Sequence, residues 1–151
     1  SQDDMTSVTL IRPVSRIDIG LEIRGNFDIG QVSSIEATID NCCNGVNISS
    51  LTGELSYYGN TVNTFTGDSW SDRTIFAATD RYIFPNAEGT VSTISFNLAM
   101  TDGRTVSLQG TLDEALSANS DYSIVFYVTW NSADGTFTVD EIETVEDTIE
   151  F

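Results

Sequence analysis

Arg12-Pro-Val-Ser-Arg16-Ile-Asp-Ile-Gly20-Leu-Glu-Ile23 decides how the rest of the chain is read. From Arg16 to Arg24 the pattern alternates without a break. Ile17, Ile19, Leu21 and Ile23 fall on one side, and Arg16, Asp18, Gly20, Glu22 and Arg24 on the other. A period of two is the signature of a half-buried β-strand. Eight such residues span about 26 Å, enough to cross a domain. Pro13 lacks the N–H that a ladder needs, which places it at a strand start or at a sheet edge.

The same alternation recurs further on. Val32–Ile39 places Ile35, Ala37 and Ile39 together, and Thr93–Met100 does so with Ile94, Phe96, Leu98 and Met100. Asp102-Gly103 is a strong hairpin signal, and Arg104–Leu112 returns with Val106 and Leu108 inward. Tyr122–Trp130 aligns Tyr122, Ile124, Phe126, Val128 and Trp130. Its other face is partly apolar through Val125 and Tyr127, as in a strand with neighbours on both sides. After the loop 131–135, Phe137 and Val139 point inward, but Ile142 falls out of phase, which predicts a β-bulge. Val145, Ile149 and Phe151 return to the earlier parity. Shorter strands are expected at 54–58, 73–78 and 81–84, and one helical turn at 113–118. Seven to nine short strands bounded by turns define an all-β, antiparallel sandwich. The expected organisation is a lead-in over residues 1–11 and a single β-sandwich domain over 12–151.

Composition narrows the chemistry. The 151 residues hold 23 Asp and Glu against six cations, no His, and a net charge of −17. All six cations are Arg (Arg12, Arg16, Arg24, Arg73, Arg81 and Arg104). Without a basic patch to neutralise phosphates, nucleic acid and anionic membrane surfaces are unsuitable partners. Absence of His removes the Ser-His-Asp triad and His-ligated zinc, and absence of Lys removes Schiff bases and a P-loop. No apolar run reaches the length of a membrane-spanning helix. The first residues are polar and do not form a signal peptide, so an exported protein would have its signal outside this sequence.

The candidate sites each have a plain structural explanation. Cys42 and Cys43 are adjacent, so they cannot staple distant segments. They read as two thiols with a structural role, with a strained vicinal disulfide as the alternative. Asp68 and Asp72 flank Trp70 but lack the full spacing of a calcium loop, and the acidic run 141–150 reads as a solvated strand face. Carboxylate pairs at glycosidase spacing arise by chance among so many acids. No cofactor or metal is implied, and no catalytic set emerges. Tyr57, Tyr58, Trp70 and Tyr82 are candidate sugar-stacking aromatics, although aromatics in sheets more often belong to cores.

Arg12-Pro-Val-Ser-Arg-Ile-Asp-Ile19 resembles the Arg-x-Val-Ala-Arg-hydrophobic-Asp-hydrophobic strand that opens the second domain of Bacteroidales fimbrillins, the FimA/FimB type of pilus subunit and anchor. Leu116-Ser-Ala-Asn-Ser-Asp-Tyr122-Ser-Ile-Val-Phe126 is similar to the loop and Tyr-led strand near their C-terminus. The resemblance implies a transthyretin-like sandwich, export to the cell surface, and a non-catalytic role in adhesion or pilus assembly. It also implies partners among fimbrial subunits or other surface proteins, joined by strand addition. Family members usually carry another sandwich domain before this strand, whereas only about a dozen residues precede it here. Two segments are the candidate assembly strands: Val8, Leu10 and Val14 at one end, and Val145, Ile149 and Phe151 at the other. The alternative reading is a carbohydrate-binding β-sandwich.

Overall fold

A computed structural model describes residues 12–67, 69–71 and 73–148. Eleven strands follow in order: β1 (Ser15–Arg24), β2 (Val32–Cys42), β3 (Gly45–Ile48), β4 (Leu55–Tyr58), β5 (Thr61–Gly67), β6 (Ser69–Ser71), β7 (Thr74–Ile83), β8 (Thr93–Met100), β9 (Thr105–Thr111), β10 (Ser120–Asn131) and β11 (Thr136–Thr148). One 3₁₀ turn, Ile29–Gln31, precedes β2. The five-stranded sheet runs β11-β10-β1-β7-β6 and the four-stranded sheet β5-β2-β8-β9, with β3-β4 a separate ribbon. The chain is therefore the all-β sandwich that its alternation predicts.

Each alternating stretch buries one face. Ile17, Ile19, Leu21, Ile94, Phe96, Leu98, Val106, Leu108, Ile124, Phe126 and Val128 are all buried. Phe96 and Phe126 meet edge to face across the two sheets, with ring centres 4.9 Å apart. Such pairs add about 1 kcal/mol to the area they bury. Asp102-Gly103 forms the β8–β9 turn, with Gly103 at φ 91°. The N–H of Gly103 donates to Met100 O, and that of Met100 to Arg104 O.

Other features depart from the alternation-based expectations. β1 is the centre of its sheet, and the sandwich is not wholly antiparallel: β7 flanks β1 antiparallel and β10 parallel. Pro13 sits just before β1, at its start. Alternation records which face is buried but not pairing direction, so the parallel β1–β10 pair was not legible. The two short strands expected at 73–78 and 81–84 are one strand, β7, bent where Asp80 adopts φ 53° and shifts the register against β1. Residues 113–118 are not a helical turn. Asn86 holds that loop open, accepting the Leu116 N–H on Oδ1 at 2.6 Å and donating its own N–H to Leu116 O. The expected bulge lies at Asp140, where β11 has one residue more than β10. It shifts everything beyond it, so Val145 opposes Ser123 on the outer face and Ile142 opposes Phe126 on the inner one.

On the outer face, Arg16 ties three strands together. Its guanidinium lies 2.7 Å from Asp80, 3.2 Å from Asp121 and 3.2 Å from Asp18. Asp18 also accepts the Asp80 N–H, which fixes the bend in β7.

Candidate functional site: the open side of the sandwich

The two lateral sides of the sandwich differ. On one, the chain crosses from the four-stranded sheet to the five-stranded sheet between β5 and β6. Gly67 makes this crossing possible: a Cβ there would stand 2.1 Å from Phe76 O. On the other, β9 and β11 are both terminal strands of their sheets. No strand pairs with the outer side of either among the described residues.

Between β11 and the segment after β9 lies a groove of about 620 Å³. Leu112, Leu116 and Tyr122 form buried parts of its floor, and Val139 and Ile142 are half-buried beside them. Asp113, Glu114, Asp140, Glu141 and Glu146 also line it. Glu146 is anchored: the Tyr122 hydroxyl and the Ser120 hydroxyl each donate to its Oε2 at 2.8 Å. Tyr122 accepts the Ser117 N–H at 2.7 Å. Burial, with Glu146 adding to it, raises the Tyr122 pKa. The bulge at Asp140 is what brings Glu146 to this inner side. Sequence reasoning did not find this network, because without the phase shift Glu146 would face solvent.

No cluster of three or more His, Cys, Asp or Glu with metal-holding geometry occurs among the described residues. Among the groove's carboxylates, Glu146 accepts from Tyr122 and Ser120, and Asp140 accepts from the Thr129 hydroxyl. Asp68 and Asp72 lie outside the described residues.

The candidate aromatics do not form one row. Tyr57 donates its hydroxyl to Pro13 O at 3.0 Å, and Arg12 lies 5.7 Å over the Tyr82 ring, so these two meet the lead-in to β1. Tyr58 covers Gly45 on the ribbon. Trp70 opposes Ile75, seven residues along β7 from Tyr82, about 23 Å away. Register also puts Trp70 on the core-facing side and Tyr82 on the outer side.

The candidate assembly residues divide in the same way. Val145 is exposed on β11, 46 % accessible, at the sheet edge. Val14 is half-buried in the lead-in, where its carbonyl accepts the Asn119 N–H. Val8, Leu10, Ile149 and Phe151 lie outside the described residues. Cys42 and Cys43 are buried free thiols.

No family model matches this chain, and no curated protein sequence does. Solved structures do share its fold. A candidate cell adhesion protein of Bacteroides uniformis superposes with a TM-score of 0.57 at 14% identity, over 91% of this chain and 51% of its own. A candidate cell adhesion protein of Bacteroides fragilis gives 0.52 at 14% identity, over 93% and 47%. The chain thus spans about half the length of these structures.

Proposed function

We propose that this chain is a non-catalytic, exported cell-surface module that serves adhesion or fimbrial assembly, and that it joins neighbouring subunits by strand addition. The carrying observation is β11, thirteen residues long, lying at the sheet edge with its outer side unpaired among the described residues. A long edge strand presents a row of backbone donors and acceptors to an incoming strand. Exposed acids along it, Glu141, Glu143 and Asp147, discourage indiscriminate pairing. The proteins that share the fold point the same way, through their provisional assignment to cell adhesion. The fimbrillin-like motifs supply the finer terms of the reading: a transthyretin-like sandwich, a pilus or its anchor, and the outer membrane as the place of work.

In this chain the segment that contains Val145 already pairs with β10, so it supplies the receiving edge. The donor is then the segment containing Val8 and Leu10 of a neighbouring subunit. Replacing both with Asp is expected to leave the purified protein folded, by circular dichroism, and to abolish its incorporation into surface filaments or complexes in the native host. Normal incorporation of that variant overturns the reading. So does tight binding of a glycan by the wild-type protein in calorimetry, lost on replacement of Tyr82 or Trp70.

A further inference from the structure

The β3–β4 ribbon is the least charged part of a strongly acidic molecule. Residues 45–62 carry one charged side chain, Glu54. Yet they hold four of the seven large apolar side chains exposed among the described residues: Ile48 is 62 % exposed, Leu51 94 %, Tyr58 52 % and Val62 57 %. Register puts Tyr58 on the opposite face from Ile48, and Val62 is on β5, so the exposed apolar pair that marks a contact site is Ile48 and Leu51, three residues apart at the ribbon's tip.

The tip that presents Leu51 is tied down. Ser49 donates its N–H to Glu54 O at 2.9 Å, and Ser49 O accepts the Gly53 N–H at 2.8 Å. The Ser49 hydroxyl accepts the N–H groups of Leu51 and Thr52, both at 3.3 Å, and Thr52 Oγ1 accepts that of Glu54 at 3.2 Å. Gly53, at φ 72°, supplies the left-handed residue the loop requires. Five hydrogen bonds thus fix a six-residue turn whose outermost side chain is a leucine. Little ordering entropy remains to be lost when such a tip docks.

Which occupant suits it follows from charge and size. The ribbon has no Lys or Arg to meet lipid headgroups, and the chain's −17 charge opposes an anionic membrane. The groove on the open side is of the size that takes side chains, within the usual range of about 300–1,000 Å³. Its lining includes Leu112, Leu116 and Ile142, and the exposed carboxylates of Asp113, Glu114 and Glu141 offer acceptors to an incoming hydroxyl. The ribbon tip offers the matching set: Leu51 and Ile48 for the floor, and the hydroxyls of Ser50 and Thr52 as donors for the rim.

We propose that the β3–β4 ribbon of one copy seats Leu51 and Ile48 in the β9–β11 groove of a second copy. The ribbon joins β2 to β5, at one side of the four-stranded sheet, and the groove lies beyond β9 at the other. Three strand spacings, about 14 Å, separate the two sides. Two different patches therefore meet, and a contact of that kind repeats head to tail instead of closing into a two-fold dimer. The ribbon is the part of the surface that approaches an acidic groove with least repulsion. This contact does not depend on strand addition, because Leu51 belongs to neither terminal segment.

Sedimentation velocity on the full chain, at moderate salt and up to about 1 mM, tests the proposal. The average mass of the wild type is expected to rise with concentration past that of a dimer. Leu51→Asp and Ala115→Trp, the second of which fills the groove, should each weaken association by about tenfold or more, with unchanged melting temperature. An oxidised mixture of the Leu51→Cys and Ala115→Cys proteins should cross-link between the two variants, since the native Cys42 and Cys43 are buried. A wild type that stays monomeric throughout overturns the proposal. So does association that survives Leu51→Asp, or a Leu51→Cys protein that cross-links only to itself. If these point variants abolish association while Val8 and Leu10 replacements do not, ribbon docking stands and terminal-strand exchange falls.

Discussion

At Gly67 one missing Cβ lets the chain change sheets. The nearest atom to a substituent there is a backbone oxygen, Phe76 O, which cannot rotate away. Gly67→Ala is expected to lower stability by about 2–3 kcal/mol in urea unfolding, the range of an overpacked core. Val91→Ala, on a half-buried side chain away from the crossing, is the matched control. Arg16 poses the opposite problem, one cation among three carboxylates. Each exposed pair is worth little, but Arg16→Gln leaves Asp18, Asp80 and Asp121 facing one another, and the melting temperature should fall at low salt. That loss should shrink in molar NaCl; a salt-independent loss would show that packing, not charge, carries it. Cys42 reports on pH. Burial raises its thiol pKa, so the thiol stays neutral in the folded state where the unfolded chain ionises near pH 8.5. Its contribution to stability is complete below that pH and is lost as pH rises toward the folded value. Cys42→Ala should flatten the alkaline limb of a stability–pH curve. The core was legible residue by residue, since Ile17 through Val128 follow from alternation. The surface was not: Tyr57, Tyr82 and Trp70 have the same sequence character but three different surroundings.

Elements were legible where they are long and alternate, and lost where a single residue breaks phase. β8, β9, β10 and β11 lie within a residue or two of their expected starts, because each opens on a run in which one face is consistently apolar. β3, β5 and β6 carry Asn, Ser, Thr and Gly with few apolar neighbours, and nothing in such a stretch separates an edge strand from a loop. β7 hid because Asp80 reads as a break, whereas its N–H is taken up by Asp18 from the neighbouring strand. The bulge at Asp140 was visible from Ile142, but its consequence for Val145 and Glu146 needed the register. Deleting Asp140 tests that consequence. Without the extra residue, the far half of β11 rotates so that Glu146 leaves Tyr122 and Ser120, and Ile142 leaves Phe126. The expected loss is about 2–4 kcal/mol, from one buried-side apolar contact and the anchoring hydrogen bonds together. Tyr122 should then titrate closer to an ordinary phenol in an absorbance titration. An unchanged Tyr122 titration with wild-type stability would mean that the bulge relocates rather than disappears.

For the whole molecule, charge sets the terms on which anything assembles. Twenty-three acids against six arginines put self-repulsion on every face, and the groove and the outer edge of β11 share it. Strand addition and ribbon docking must both work against this field, which reaches about 8 Å at physiological ionic strength. Two opposed pH effects follow. From neutral pH toward pH 5, partial protonation relieves repulsion and should raise the melting temperature and favour association. Further down, carboxylates whose folded pKa is depressed begin to cost stability. Asp102, held low by the backbone N–H of Arg104 and by its side chain, stabilises the fold above its unfolded pKa near 4, and that contribution is lost as pH falls through the folded value. The stability maximum should therefore lie on the acid side of neutrality, about pH 5–6, with solubility at a minimum near the pI of 4.1. Sodium chloride at pH 7.5 should mimic acidification, raising both melting temperature and average mass, by screening the same repulsion. A melting temperature that falls with salt at pH 7.5, or is highest at pH 8, would show that the Arg16-centred ion pairs outweigh the net charge, and that assembly is not limited by self-repulsion.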